Sequence, residues 1–190
     1  MIIGITGGTG CGKTTLLDLI REKGGLVLDC DAIYHQLLRT DKSLLDAIEA
    51  RFPGTVEDGC LQRKKLGAIV FNNKNALNDL NTITHGAVKA EVQRLLTPLP
   101  QLAAIDAIGL FESGLDKLCK LTVAIDAPRE DRIARLMARD NISAEYAAAR
   151  IDAQPTGAEF AARCDYILVN DGSREDFQEK CLAFFTQVGL

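Results

Sequence analysis

Apolar residues fall into two patterns along the chain. Short unbroken runs occur at Ile2–Thr6, Leu26–Asp29, Leu102–Ala107, Leu121–Ile125 and Tyr166–Val169, bounded by glycines or by Asp and Asn. Runs of this length with such ends read as buried parallel strands. Between them apolar residues recur every three or four positions, the helical period. Leu16, Leu17 and Ile20 form one such set, and Ile33, Leu37 and Leu38 another. Leu44, Leu45 and Ile48 make a third; Leu66, Ile69 and Val70 a fourth. Leu77, Leu80, Ile83, Val88, Val92 and Leu95 predict one long helix, stopped by Pro98 and Pro100. Ile133, Leu136 and Met137, and then Phe177, Cys181, Phe184, Phe185 and Val188, predict two more.

Strands alternating with helices imply an α/β fold: a mostly parallel five-stranded sheet with helices on both faces. The rhythm is interrupted once. From residue 33 to 96 the pattern is helical, broken by turn signals at Phe52-Pro53-Gly54 and Glu57-Asp58-Gly59, and no strand is expected there. The chain therefore divides into a core of 1–31, 101–129 and 164–190, a helical insertion of 32–100, and a small helical lid of 130–163. Within the lid, residues 143–163 are rich in alanine and are expected to form a mobile helical pair with little core of its own.

The chain has 190 residues, of which 47% are hydrophobic and 25% charged, enough for a sizeable core in one domain. A net charge of −4 argues against a nucleic-acid partner. No apolar run is long enough for a membrane span, and the opening Met1–Thr6 does not read as a signal peptide. The six cysteines show no C-x-x-C spacing, and the two histidines no zinc-ligand spacing. Reduced thiols in a cytoplasmic protein, monomeric or weakly oligomeric, are the expectation.

Gly7-Gly-Thr-Gly-Cys-Gly-Lys-Thr14 fits G-x-x-x-x-G-K-[ST], placed after a strand and before a helix. The glycines let successive N–H groups turn inward, so that Gly8, Thr9, Gly10, Cys11 and Gly12 cradle phosphates at a helix N-terminus. Lys13 would reach the β- and γ-phosphates, and the Thr14 hydroxyl would hold Mg²⁺. Thr15 would cap the helix and touch the α-phosphate. ATP with Mg²⁺ is the implied pair. The nearest string to a guanine-reading N-K-x-D is Asn73-Lys-Asn-Ala76, which lacks the Asp. Cys11 lies at a helix N-terminus, a position that lowers a thiol pKa, so its alkylation is expected to block ATP binding.

Ligands of open α/β sheets bind beyond the carboxyl ends of the strands. Asp29, Asp31 and Asp106 fall there. Asp31 is a candidate base for an attacking hydroxyl, or a plain helix N-cap. Asp106 is a candidate Mg²⁺ carboxylate acting through water, or a turn residue. Arg132, Arg135, Arg139 and Arg150 either close over transferring phosphate or form a solvated face. For the group around Arg139 the functional reading is preferred. Arg63-Lys-Lys65 and His85 stay open between ligand contact and ordinary surface.

These residues resemble the dephospho-coenzyme A kinases, which share the P-loop kinase fold, over almost the whole chain. Gly4–Thr15 is similar to the family's phosphate loop, and Leu28-Asp-Cys-Asp31 to its D-x-D segment, whose second Asp is the base. Asp58–Phe71 resembles a signature of the acceptor-binding helices. Leu80-Asn-Thr-Ile-Thr-His85 is similar to L-N-x-x-x-H-P, Arg135–Asp140 to the run entering the lid, and Arg150–Gln154 and Cys164–Asn170 to the closing stretches. The sequence departs from the family at Gly86, Ile108-Gly109 and Phe160.

The resemblance implies transfer of the γ-phosphoryl of ATP to the ribose 3′-hydroxyl of dephospho-coenzyme A. It implies Asp31 as base, Lys13 and Arg139 on the transferring group, Arg63 and His85 on the acceptor, and Asn170 near the adenine. Two other readings fit the loop alone: a kinase for another small acceptor such as a nucleoside monophosphate, and an ATP-binding paralogue without turnover.

Overall fold

A computed structural model describes all 190 residues. They fold into two compact units, one of Met1–Leu28 with Pro100–Leu190 and the other of Asp29–Leu99.

The first unit is built on a five-stranded sheet. Its strands are β1 (Ile2–Thr6), β2 (Leu26–Asp29), β5 (Ala103–Asp106), β6 (Leu121–Asp126) and β7 (Tyr166–Val169), in the order β2-β5-β1-β6-β7. β1 pairs in parallel with β5 and β6, and β6 with β7. The register sets Ile5 beside Asp106 and Thr6 beside Ala124, so the strand ends around β1 converge on one edge. α1 (Lys13–Glu22) and α9 (Arg174–Val188) cover one face. Ile3, Ile5, Leu16, Ile20, Val123, Ile125, Phe177 and Phe185 are almost fully buried there. Each contributes about 1.5–3 kcal/mol of burial free energy. Successive strand residues point to opposite faces. Gly4 therefore faces the other side, where Leu110 and Cys119 pack directly on it, and Thr6 donates to the Ile108 carbonyl. A short 3₁₀ turn, Asp116–Leu118, belongs to this covering segment.

α6 (Arg129–Asp140), α7 (Ala144–Asp152) and α8 (Gly157–Ala161) complete this unit. Ile133, Leu136, Ala147 and Ile151 form a small buried cluster, with Ile142, Ala144 and Ala148 packed around it. The alanine-rich stretch gives this cluster only Ala147 and Ile151, so it has little core of its own and packs on Ile133 and Leu136 of α6. Alanine allows close helix approach, and two turns of α6 supply the larger side chains. Arg129 also chelates Asp152 from Nε and Nη2, at 3.2 and 2.9 Å.

The second unit is mostly helical: α2 (Cys30–Thr40), α3 (Lys42–Arg51), α4 (Arg63–Val70) and α5 (Lys74–Leu95). α2, α3 and α4 each pack on α5, burying Leu37, Leu44, Ile48, Phe52, Leu66, Val70, Val88 and Val92. It also holds two strands that the sequence pattern does not announce, β3 (Val56–Glu57) and β4 (Cys60–Leu61), paired as an antiparallel hairpin. The physical cause is local. The Glu49 carboxylate accepts from the N–H groups of Gly54, Thr55 and Val56, at 2.6, 3.0 and 2.7 Å, and fixes the chain that enters the hairpin.

Candidate active site

The loop between β1 and α1 turns tightly enough to need glycine. Gly12 has φ +95°, and a Cβ there would lie 2.3 Å from Asn170 Nδ2. Gly12 is also the N-cap of α1, and no side chain bonds the first N–H groups of that helix. By contrast Asp29, Asp41, Asn73, Ser143, Thr156 and Ser173 cap α2, α3, α5, α7, α8 and α9. The free N–H groups of α1, with the helix dipole behind them, form an anion site. Thr15 lies inside α1 and does not cap it, because the left-handed Gly12 already begins the helix.

Lys13 arches back over its own loop, its Nζ donating to the Gly7 carbonyl at 2.9 Å. Thr14, in the first turn of α1, is exposed. Asp106 ends β5 at the strand edge beside β1. A hydroxyl and a carboxylate are the oxygen donors that magnesium prefers, so the residues present fit it.

The carbonyls of Thr9, Gly10 and Cys11 are gripped by side chains from α6 and from the end of β7. Arg132 Nε donates to the Thr9 carbonyl at 2.9 Å. Arg135 Nη1 donates to Gly10 and Cys11 at 3.2 and 3.4 Å, and Asn170 Nδ2 to Cys11 at 3.0 Å. The Gln154 side-chain oxygen accepts the Thr9 N–H at 2.7 Å. The sequence pattern offers Arg132 as an arginine over the transferring phosphate or on a solvated face, and gives Gln154 no role; the structure instead buries Arg132 against the loop backbone. Position 132 has the period of a buried helix face, shared with Ile133 and Leu136, and that was the available signal.

Arg139 lies elsewhere. It is exposed at the end of α6 and chelates Asp140 at 2.7 and 3.0 Å, and Arg150 joins the same carboxylate at 2.6 Å. The two guanidinium groups hold Asp140 well below the usual carboxylate range. Cys11 departs from the sequence expectation. It is 1% exposed, and burial pushes its thiol up despite the neighbouring charge of Lys13. Desolvation of the thiolate outweighs the helix terminus.

In the second unit the N-cap of α2 is Asp29, whose carboxylate accepts the Ala32 N–H at 2.9 Å. Asp31 follows in the first turn, exposed, its carboxylate in no hydrogen bond or ion pair of the protein. The capping alternative considered for Asp31 therefore falls on Asp29. Arg63 opens α4, exposed, with Nη2 3.2 Å from His35 Nδ1. Burial raises the Tyr34 phenol beside it, opposed by the Arg63 charge. His85 is half-buried on α5. Gly86 is exposed, with open space where a side chain would stand.

The sequence model for dephospho-CoA kinases matches residues 1–176. A dephospho-CoA kinase of Geobacillus kaustophilus is 36% identical over 193 residues, covering 98% of this chain and 96% of the relative. A crystal structure from Thermus thermophilus superposes with a TM-score of 0.81 at 34% identity, covering 98% of this chain and 97% of the other. Dephospho-CoA kinase from Campylobacter jejuni gives a TM-score of 0.68 at 29% identity, over 98% and 96% of the two chains.

Proposed function

The chain belongs to the dephospho-CoA kinase family, and on that premise we propose how its residues divide the work. The enzyme phosphorylates dephospho-CoA at the expense of ATP. The hydroxyl phosphorylated is read as the ribose 3′-OH.

The donor side rests on the loop. The uncapped N–H groups at the start of α1 would hold the β-phosphate, and Lys13 would exchange the Gly7 carbonyl for phosphate oxygens. Thr14 is the proposed magnesium ligand, with Asp106 acting through water. Magnesium bound there would neutralise charge on the phosphate oxygens. Gly8, Thr9, Gly10, Cys11, Gly12 and Thr15 complete the loop contacts, and Asn170 lies on the nucleotide side.

Asp31 is the proposed base, accepting the proton of the attacking hydroxyl. An exposed carboxylate released from capping duty by Asp29 supports this role. Arg63 and His85 are assigned to the acceptor by resemblance of residue. Arg139 is assigned to the transferring group, a role that requires it to leave Asp140 for phosphate oxygens. Catalysis is then largely positioning and charge stabilisation. No helix is long and apolar enough to cross a membrane. Six free cysteines suit a reducing compartment, and we read the protein as cytoplasmic.

The observation that carries this reading is the α1 N-terminus left uncapped beneath Lys13. The test is ADP release from Mg-ATP with dephospho-CoA, run beside AMP and CMP, and phosphorus NMR of the product. Turnover with dephospho-CoA alone and a new 3′-phosphate is expected. Turnover with AMP or CMP in its place overturns the acceptor.

A further inference from the structure

Arg132 is an arginine almost without water. It is 5% exposed, and no carboxylate forms an ion pair with it. Its Nε is spent on the Thr9 carbonyl, while its buried Nη2 makes no hydrogen bond within the protein. A buried guanidinium normally has a carboxylate or a full set of acceptors, because stripping water from a cation is costly. Here neither is present.

Its surroundings explain why it is tolerated. The guanidinium lies flat against the loop: a Cβ built on Gly8 would fall 2.1 Å from Nη2 and 2.9 Å from Cζ. The Arg132 backbone packs on Gly10 in the same way: a Cβ built on Gly10 would fall 2.9 Å from the Arg132 carbonyl oxygen. Arg132 thus touches three consecutive residues of the loop, Gly8, Thr9 and Gly10. It reaches them on the side of the Thr9 carbonyl. Its hydrogen-bonded counterpart is the Thr9 carbonyl; the Asp152 carboxylate feels its charge but is chelated by Arg129 instead.

We propose that Arg132 is a positioning residue of the phosphate loop. It holds the Thr9 carbonyl outward, which keeps the neighbouring N–H groups aimed inward, and it sets an unpaired positive charge behind Gly8 that polyphosphate compensates. The guanidinium occupies the place that a side chain at Gly8 would take, so a larger residue there would have to displace it. This rests on the reading of the loop as the ATP phosphate site.

The two parts predict a dependence on phosphate number. A residue acting through the loop strengthens ATP and ADP binding and leaves adenosine, which lacks every phosphate, unaffected. A residue that merely fills space loses affinity for all three alike, or for none.

The experiment is titration calorimetry of Mg-ATP, Mg-ADP and adenosine against the full chain, for the wild type, Arg132→Gln, Arg132→Lys, Gly8→Ala and the Gly8→Ala/Arg132→Gln double variant. Wild-type affinity rising from adenosine to ATP establishes the phosphate reading on its own; its failure there rejects that reading and not merely the role of Arg132. Given that rise, Arg132→Gln should weaken ATP and ADP by about tenfold and adenosine by less than about twofold. Arg132→Lys should recover part of the ATP loss by keeping the charge. Gly8→Ala should weaken ATP strongly in the wild type and much less in the Arg132→Gln background, where no guanidinium is displaced. Equal loss for all three ligands, unchanged ATP affinity, or additive effects at Gly8 and Arg132 would overturn the proposal. If Arg132→Gln does not fold, Arg132→Lys and Gly8→Ala decide it by the same comparison of ATP with adenosine.

Discussion

Asn170 Nδ2 donates to the Cys11 carbonyl at 3.0 Å, joining the residue after β7 to the phosphate loop across 159 positions of sequence. Asn170 is itself held, its N–H donating to the Asp126 carbonyl at 2.8 Å. The sheet thereby fixes the back of the loop.

Replacing Asn170 by alanine strips the closest donor from the Cys11 carbonyl. The other donor to that carbonyl, Arg135, is 3.4 Å away. A buried acceptor left poorly satisfied costs about 1–3 kcal/mol. Asn170→Ala should therefore lower the urea midpoint with an unchanged denaturant slope. An unchanged midpoint would mean that water or Arg135 satisfies the carbonyl equally well.

Cys11 should resist alkylation. Its thiol is raised by burial, so its thiolate fraction at about pH 8 lies below that of an ordinary cysteine. Cys119 and Cys181 are pushed up to about 12 by burial. Peptide mass spectrometry after brief iodoacetamide treatment of the folded protein should find the label on exposed Cys60 first. Early label on Cys11 would contradict the burial argument.

The Asp140 carboxylate is depressed mainly by its hydrogen bonds to Arg139 and Arg150. A carboxylate whose folded pKa lies below its unfolded value stabilises the fold above that unfolded value, about 4. The contribution is lost as pH falls toward the folded value. Thermal melts of Asp140→Asn should therefore lie below the wild type at neutral pH, and the two should converge as the pH drops below about 4. Because the cluster is exposed, added salt should shrink the neutral-pH difference. A gap that persists in acid would locate the effect in packing.

Much of the fold was legible because it follows from period and composition. The five strands are short apolar runs that stop beside glycine or a polar residue, and the long α5 keeps a helical repeat through Leu77, Leu80, Val88 and Val92. The phosphate loop was legible because only glycines make that turn. The β3–β4 hairpin was not, since two-residue strands carry no alternation and depend on Glu49, several residues upstream in α3. Nor was the division of labour among the arginines. Arg132, Arg135 and Arg139 share one helix and similar spacing, yet packing buries the first against the loop and leaves the last on Asp140. Asp29 and Asp31 differ by two positions, and only the helix start shows which of them caps.

The role of Glu49 is testable by hydrogen exchange. The Thr55 N–H also donates to the Phe52 carbonyl at 3.2 Å, so Glu49→Ala frees the N–H groups of Gly54 and Val56. These amides should exchange at least about tenfold faster while those of α5 are unchanged. Protection that persists at both would show that the hairpin holds itself.

Asp31→Asn measures the central assignment most directly. The substitution leaves the Asp29 cap in place and removes a carboxylate that bonds nothing in the protein. Steady-state ADP release with Mg-ATP and dephospho-CoA should show kcat lowered by about 10²- to 10⁴-fold, with ATP affinity within about twofold of the wild type. Turnover at the wild-type rate in Asp31→Asn would contradict the assignment of the base.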